Sequence, residues 1–180
     1  MKNLFFMLSF ALAIPVFGQK NLIDNGGFET DKEFWNGEDI LTISPYTKKS
    51  GAKSGSITEY TSPQWKGVYQ EFSIPKNTVA IEVSGWLKTD GVEKGKSDWN
   101  KAVMIVEMGG KAENIASLDG TTAWTEFKKL IPVNKIRIGK LMLALSECTG
   151  TFYFDDIRIT ALNQEAYNKI AEKENNDYSK

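Results

Sequence analysis

Between residues 40 and 160 the sequence divides into short segments rich in β-branched and aromatic residues, and turn-forming residues separate each segment from the next. This pattern, with no long amphipathic helix between the segments, is typical of an all-β sandwich or barrel. We therefore predict a sandwich of about eight to nine antiparallel strands. Eight of them can be located, at residues 40–46, 56–61, 68–74, 79–88, 101–108, 124–131, 135–145 and 151–160.

The fourth of these segments shows how the two faces of a strand can be assigned. Successive side chains of a strand point to opposite faces of the sheet. Ile81, Val83 and Leu87 therefore share one face, which we expect to be the core, while Trp86 and Lys88 share the other. A tryptophan on a polar outer face is a candidate for ligand contact.

The first 19 residues have the features of a secretory signal peptide. Lys2 precedes an apolar run over residues 4–17, which is broken only by Ser9 and is followed by the small residue Gly18. The run is too short to cross roughly 30 Å of hydrocarbon as an ordinary helix. We expect a secreted protein, periplasmic or extracellular after cleavage of residues 1–19, with no insertion into a membrane.

The remainder of the chain suits one domain. About 160 residues follow the signal peptide, enough for a single sizeable core but not for a second domain of ordinary size. We assign residues 20–162 to this domain. Residues 163–180 are polar and are predicted to form a short C-terminal helix or a tail.

The composition argues against several classes of function. The 22 basic and 23 acidic residues are mixed along the chain, so we expect no field that would gather nucleic acid. Cys148 is the single cysteine, which excludes an intrachain disulfide and predicts a buried thiol. The absence of histidine removes the commonest general base, so we do not expect an enzyme.

A series of short motifs covers most of the predicted domain. They are found at residues 21–29 (NLIDNGGFE), 35 (W), 50–57 (SGAKSGSI), 83–89 (VSGWLKT), 123–127 (AWTEF) and 150–157 (GTFYFDDI). In order and spacing they resemble the carbohydrate-binding modules of the family 4, 9 and 22 group, which are jelly rolls of the galactose-binding-like type. The resemblance implies that Trp35 and Trp124 pack in the core.

The resemblance also implies a structural calcium ion where the N-terminal segment, a loop and the last strand meet. Glu29 and either Asp155 or Asp156 match the carboxylate ligands, and the carbonyls of Lys49 and Ala52 could complete the shell. Calcium takes about six to eight oxygen ligands in a loose geometry, which such a set can provide. An ion there would stabilise the folded state in a chain without disulfides.

Carbohydrate recognition requires an aromatic face against the apolar face of a sugar ring, with polar groups alongside. Trp86 lies on a predicted outer face, and Trp65 and Trp99 lie in polar loops. We expect one aromatic-lined groove that binds a poly- or oligosaccharide. Its predicted residues are Trp86, Trp65, Trp99, Tyr69, Lys88, Glu107 and Tyr60.

Two other functions fit the sequence less well. A noncatalytic envelope or adhesion module with a protein partner could share this fold, because a fold does not determine function. A small glycosidase or polysaccharide lyase would need a pair of facing carboxylates. Candidates for such a pair are Glu59, Glu71, Glu82 and Glu107, whose separation the sequence does not show.

Overall fold

The computed structural model describes residues 20–177, with side chains up to residue 172. The predicted signal peptide, residues 1–19, lies outside the described residues. Among the helices of the described part of the chain, none is both long and apolar enough to cross a membrane.

Over residues 20–177, nine antiparallel strands and one terminal helix make up the fold. A five-stranded sheet has the order β1-β2-β9-β4-β7, and a four-stranded sheet has the order β3-β8-β5-β6. This architecture confirms the predicted all-β jelly-roll sandwich. The elements are β1 (Thr42–Ser44), β2 (Ser54–Glu59), β3 (Lys66–Ser73), β4 (Ala80–Glu93), β5 (Ala102–Met108), β6 (Lys111–Leu118), β7 (Gly120–Pro132), β8 (Ile138–Leu145), β9 (Thr149–Leu162) and α1 (Gln164–Asp177).

The alternation predicted for β4 is confirmed. Ile81, Val83 and Leu87 are fully buried between the sheets, whereas Trp86 and Lys88 are half-buried on the outer face. β4 lies between β9 and β7, so its inward side chains form the middle of the core. The apolar positions of this one strand therefore fix which side of the five-stranded sheet faces the other sheet.

An aromatic cluster fastens the N-terminal segment to the five-stranded sheet. Phe28 stacks on Trp35 with ring centroids 5.1 Å apart, and its centroid lies 5.2 Å from that of Phe154 on β9. Trp35 is 2% exposed, and its Nε1 donates a hydrogen bond to the carbonyl of Asn25 at 3.1 Å. Core packing of Trp35 is thus confirmed, whereas Trp124 on β7 is only half-buried and the expectation that it lies in the core is wrong.

Hydrogen bonds also attach the N-terminal segment to β9. The Asn21 side chain donates to the Ile157 carbonyl at 3.0 Å and accepts from the Ile159 amide at 2.8 Å. The Ile157 amide donates to the Gly26 carbonyl at 2.9 Å. The segment before β1 is therefore held along the last strand by specific polar contacts as well as by the aromatic cluster.

One strand was not predicted. β6 forms a hairpin with β5 through Gly109 and Gly110, which both have positive φ values, 57° and 74°. Glycine adopts this conformation without strain, so these two residues form a tight hairpin. β6 itself was missed because its sequence, KAENIASL, has a single β-branched residue, Ile115, and no aromatic residue.

Cys148 lies immediately before β9 and is fully buried. Burial raises the pKa of its thiol to about 11, so the group stays protonated and unreactive at neutral pH. The predicted buried free thiol is confirmed.

Replacing Phe154 should measure what the aromatic cluster contributes. Phe154→Ala would remove a ring that contacts both Phe28 and Phe152, and we expect the free energy of unfolding to fall by about 3–5 kcal/mol. Urea denaturation gives this value, and Tyr46→Ala, at a side chain that is 93% exposed, serves as the control. A loss for Phe154→Ala no larger than that of the control would contradict a central role for the cluster.

Candidate functional site

The outer face of the four-stranded sheet carries a polar row flanked by an aromatic residue. The strand register places Glu71 of β3, Lys140 of β8 and Glu107 of β5 side by side. The Lys140 Nζ lies 3.8 Å from Glu71 Oε1 and 5.2 Å from the ring centroid of Tyr69. Tyr69 belongs to the next row, beside Met142, and is 38% exposed. An aromatic ring thus borders a line of charged groups that can hydrogen-bond.

A second aromatic residue lies on the same face, at the start of β3. Gly67 of β3 lies opposite Ala144 of β8 in the strand register. If Gly67 carried a Cβ atom, that atom would lie 2.9 Å from Ala144 Cβ and 3.2 Å from Trp65 Nε1. Because these two positions carry almost no side chain, the Trp65 indole can lie against the sheet, where it remains 50% exposed. We call the outer face formed by Trp65, Tyr69, Glu71, Glu107 and Lys140 the Tyr69 surface.

A pocket of about 340 Å³ opens beside this surface. The Gln70 side chain accepts from the Asp24 amide at 2.8 Å and donates to the Asp24 carbonyl at 3.0 Å, which holds the N-terminal segment against β3. Phe34 is 61% exposed at the pocket. The lining residues are Asp24, Phe34, Asn36, Tyr69, Gln70 and Glu71. Sequence reasoning missed Phe34 and Asn36, which lie in an irregular segment without periodicity.

Trp86 and Lys88 lie on the opposite side of the molecule, on the outer face of the five-stranded sheet. The Lys49 Nζ is 3.7 Å from the centroid of the Trp86 ring and covers one of its faces. The Lys88 Nζ lies 5.2 Å from the ring centroid of Tyr153. The structure therefore separates residues that were expected to share one groove, because Tyr69 lies on the outer face of the other sheet.

The cleft beside Trp86 has a volume of about 470 Å³. We call it the Trp86 cleft. Its lining residues are Asn21, Gly27, Glu82, Ser84, Trp86, Glu126, Lys128, Asp156, Ile157 and Arg158.

The remaining predicted ligand residues, Trp99 and Tyr60, lie in loops. Trp99 is 73% exposed between β4 and β5, and Tyr60 is 75% exposed directly after β2. The Tyr60 hydroxyl lies 3.3 Å from Thr151 Oγ1. Residues of the loops that carry Trp65 and Trp99 line one cavity, through Pro63 on one side and Gly95 and Lys96 on the other. The two loop tryptophans are thus at the same end of the sandwich.

Glu59 holds the loop that presents Trp65. It is 5% exposed, and its Oε1 accepts hydrogen bonds from the amides of Thr61 at 2.9 Å and Ser62 at 3.1 Å. Its Oε2 lies 2.7 Å from the Lys66 Nζ at the start of β3. The bond from Lys66 and the two amide bonds hold the pKa of Glu59 well below its ordinary value. One carboxylate therefore fixes both ends of this loop.

The residues predicted to bind calcium come together. The three acidic side chains lie around Gly27. If Gly27 carried a Cβ atom, that atom would lie 3.9 Å from Asp156 Oδ1, 4.0 Å from Asp155 Oδ1 and 3.9 Å from Glu29 Cγ. The loop between β1 and β2 closes over these acids. Calcium prefers oxygen ligands, carboxylates among them, so these side chains are of a type that suits the ion.

The Ser50 hydroxyl donates a hydrogen bond to Asp156 Oδ1 at 2.9 Å, and the other contacts of these carboxylates come from backbone amides. Asp155 Oδ2 accepts from the amides of Lys49 at 2.8 Å and Ser50 at 3.1 Å, and Glu29 Oε1 accepts from those of Ala52 at 2.9 Å and Lys53 at 3.2 Å. The loop therefore presents N–H groups to the acids where carbonyls were predicted. Within residues 20–172, no group of three or more Asp, Glu, Cys or His side chains is arranged to hold a metal ion. Calcium stays a prediction.

Glu59→Gln should loosen the loop that carries Trp65. The depressed pKa of Glu59 means that its contribution to stability is present above its ordinary pKa of 4.5 and is lost as the pH falls below it. We expect the variant to show faster amide exchange at Thr61 and Ser62, and a stability that depends less on pH in this acidic range.

Hydrogen exchange and thermal unfolding between neutral and acidic pH would provide these measurements. Glu38→Gln, at an exposed side chain, is the matched control for loss of one negative charge. Unchanged exchange at both amides would show that Glu59 does not hold the loop.

Comparisons with known proteins support the fold. No protein-family model matches the sequence. No curated protein matches it either. Several solved structures do match. The module TmCBM61, solved in complex with β-1,4-galactotriose, is 18% identical with a TM-score of 0.58, and the match covers 80% of this chain and all (100%) of that one.

Two family 22 modules match similarly. The xylan-binding CBM22-1 domain of Paenibacillus barcinonensis Xyn10C is 15% identical, with a TM-score of 0.55 over 81% of this chain and 96% of that one. The CBM22-1–GH10 modules of Clostridium thermocellum xylanase Xyn10B, solved with xylohexaose, are 21% identical, with a TM-score of 0.55 over 79% of this chain and 29% of that one. The chain thus has the jelly-roll fold of carbohydrate-binding modules.

Proposed function

We propose that this protein is a noncatalytic carbohydrate-binding protein and that the Tyr69 surface is its binding site. The observation that carries the proposal is the Trp65 indole lying against the Gly67 and Ala144 row, with Tyr69 nearby and a row of charged groups alongside. Aromatic rings stack on the apolar faces of sugars, and charged or polar side chains then hydrogen-bond the hydroxyl groups. The Tyr69 surface offers both kinds of contact on one side of a rigid sheet.

The ligand that we propose is a β-1,4-linked neutral glycan. The structures similar to this chain include one solved with β-1,4-galactotriose and one solved with xylohexaose. On the Tyr69 surface, Lys140 can donate to hydroxyl oxygens, while Glu71 and Glu107 can accept from hydroxyl hydrogens. Trp99 would extend the surface at the loop end, and Phe34 would do so at the side pocket. Tyr60 stays a predicted contact.

The positions of the glutamates support a binding role over a catalytic one. A glycosidase needs two carboxyl groups facing across a space that holds the substrate. Glu59 is engaged by Lys66 and by the loop amides, and Glu82 lies on the other sheet. Lys140 stands between Glu71 and Glu107 in the strand register. The engagement of Glu59, the position of Glu82 and the lysine between Glu71 and Glu107 favour a binding role.

We also propose that the protein acts outside the cytoplasm, since its first 19 residues have the composition of a signal peptide.

A structural calcium ion is a further proposal. Glu29, Asp155 and Asp156 would supply carboxylate oxygens to it, and it would neutralise their charge and attach the loop to β9. The approach of the Asp155 and Asp156 carboxylates and of the Glu29 side chain to Gly27 supports this proposal.

Binding should depend on the two aromatic residues of the Tyr69 surface. We expect Trp65→Ala and Tyr69→Ala each to weaken binding to β-1,4-galactan or xylan oligosaccharides by about tenfold or more, because a central aromatic contact typically contributes on the order of 2 kcal/mol. Isothermal titration calorimetry on the mature protein would measure this.

Tyr46→Ala is the control for loss of an exposed aromatic residue away from the site. Equal affinities for all variants would place the site elsewhere. A folded protein that binds none of a broad set of glycans would overturn the proposal and favour a protein partner.

Calcium should raise the melting temperature if the proposed ion site exists. A ligand that binds only the folded state stabilises it by about 2.7 kcal/mol at a concentration one hundred times its Kd. We expect EDTA-treated protein to gain stability when calcium is added, and Glu29→Gln to lose this response. Magnesium at the same concentration is the control for ionic strength. No shift at millimolar calcium would contradict the proposed site.

A further inference from the structure

Two cationic side chains flank a serine in the Trp86 cleft. On the outer face of the five-stranded sheet, the register places Lys128 of β7 and Arg158 of β9 on either side of Ser84 of β4. Neighbouring strands are about 4.8 Å apart, so the backbones that carry the two cations are separated by roughly 10 Å. Ser84 is small, and the space above it is open between a lysine and an arginine.

Both cations are available to a ligand. In the described part of the chain, the Arg158 side chain makes no hydrogen bond and no ion pair with protein groups, although its guanidinium has five N–H donors. Lys128 Nζ is 3.7 Å from Glu82 Oε1, beyond hydrogen-bond distance, and its side chain is 50% exposed. An exposed pair of this kind contributes little to stability, so it can exchange partners at little cost.

The rest of the cleft is mixed in charge and suits a small polyhydroxylated group. Trp86 and Glu126 form the next row on one side of Ser84, and Glu82 lies on the other side. The volume of about 470 Å³ lies in the usual range for ligand sites, roughly 300–1,000 Å³. Asp156 is a third acid in the lining. The three carboxylates would repel a ligand with many negative charges, such as a nucleic acid, but they can accept hydrogen bonds from hydroxyl groups.

We propose that the Trp86 cleft is a second binding site, on the opposite side of the sandwich from the Tyr69 surface, and that its ligand is a uronic acid residue of a glycan. A single carboxylate would lie between Arg158 and Lys128, where the planar guanidinium can bind it through two parallel hydrogen bonds. The hydroxyl groups of the same sugar would donate to Glu82 and Glu126. The proposal does not depend on the Tyr69 surface, since the two sites share no residue.

Matched ligands would test whether the carboxylate is recognised. Calorimetric titration of the mature protein with tri-galacturonate, and with the same trisaccharide as its methyl ester, compares a charged and a neutral form of one backbone. We expect the ester to bind about tenfold more weakly or not at all, because it cannot form the charge-assisted bonds. Tri-mannuronate, which differs in the orientation of its hydroxyl groups, would show which uronic acid is preferred.

Variants locate the site. We expect Arg158→Gln and Lys128→Gln each to weaken tri-galacturonate binding by about tenfold, and Arg158→Lys to restore part of it. Trp65→Ala should leave it unchanged, which separates this site from the Tyr69 surface. Lys111→Gln, at an exposed lysine outside the cleft, controls for net charge. Circular dichroism would verify that each variant is folded.

Three results would overturn the proposal. They are equal affinity for the acid and its ester, binding that survives the double variant of Arg158 and Lys128, and no binding of either uronate at millimolar concentration. Loss of neutral glycan binding in Trp65→Ala would bear only on the Tyr69 surface.

Discussion

The buried carboxylate of Asp155 organises the outer side of the five-stranded sheet. It is fully buried, and it accepts three backbone hydrogen bonds, from the amides of Lys49, Ser50 and Asp156 at 2.8 to 3.1 Å. Burial raises the pKa of this group, and the bonds from the amides act in the opposite direction. Since a buried carboxylate without partners would be strongly destabilising, the loop between β1 and β2 must stay closed over β9. The Asp155 carboxylate, together with that of Glu29, therefore sets the position of this loop.

The same contact shapes the Trp86 cleft. Between Trp86 and Ser84 of β4, the partner strand β9 has one additional residue, and Asp156 adopts a φ of 50° there. This bulge lets both Asp155 and Arg158 reach the outer face, with Ile157 turned into the core. The closed loop meanwhile places Lys49 on the Trp86 ring. The cleft is therefore a consequence of the bulge and the buried carboxylate together.

Alternation of apolar and polar residues was sufficient to predict the fold class and the faces of the central strands. It correctly placed Ile81 and Val83 in the core and Trp86 outside, because β4 is covered on one side only. It did not detect β6, an edge strand whose polar residues meet solvent. Nor could it show which sheet each strand joins, and for that reason Trp86 and Tyr69 were expected in one groove although they lie on opposite sides.

Which polar side chains lie side by side on the outer face depends on the strand register, and the sequence does not show that register. Lys128, Ser84 and Arg158 are far apart in sequence, and they form a row because β4 pairs with β7 and β9 at those positions. A shift of one residue in either pairing would turn a cation toward the core, where an unpaired charge is not tolerated. The buried residues on either side, such as Ile157 and Ile159, fix this register by packing. The polar arrangement of the outer face is thus determined by the apolar pattern of the inner one.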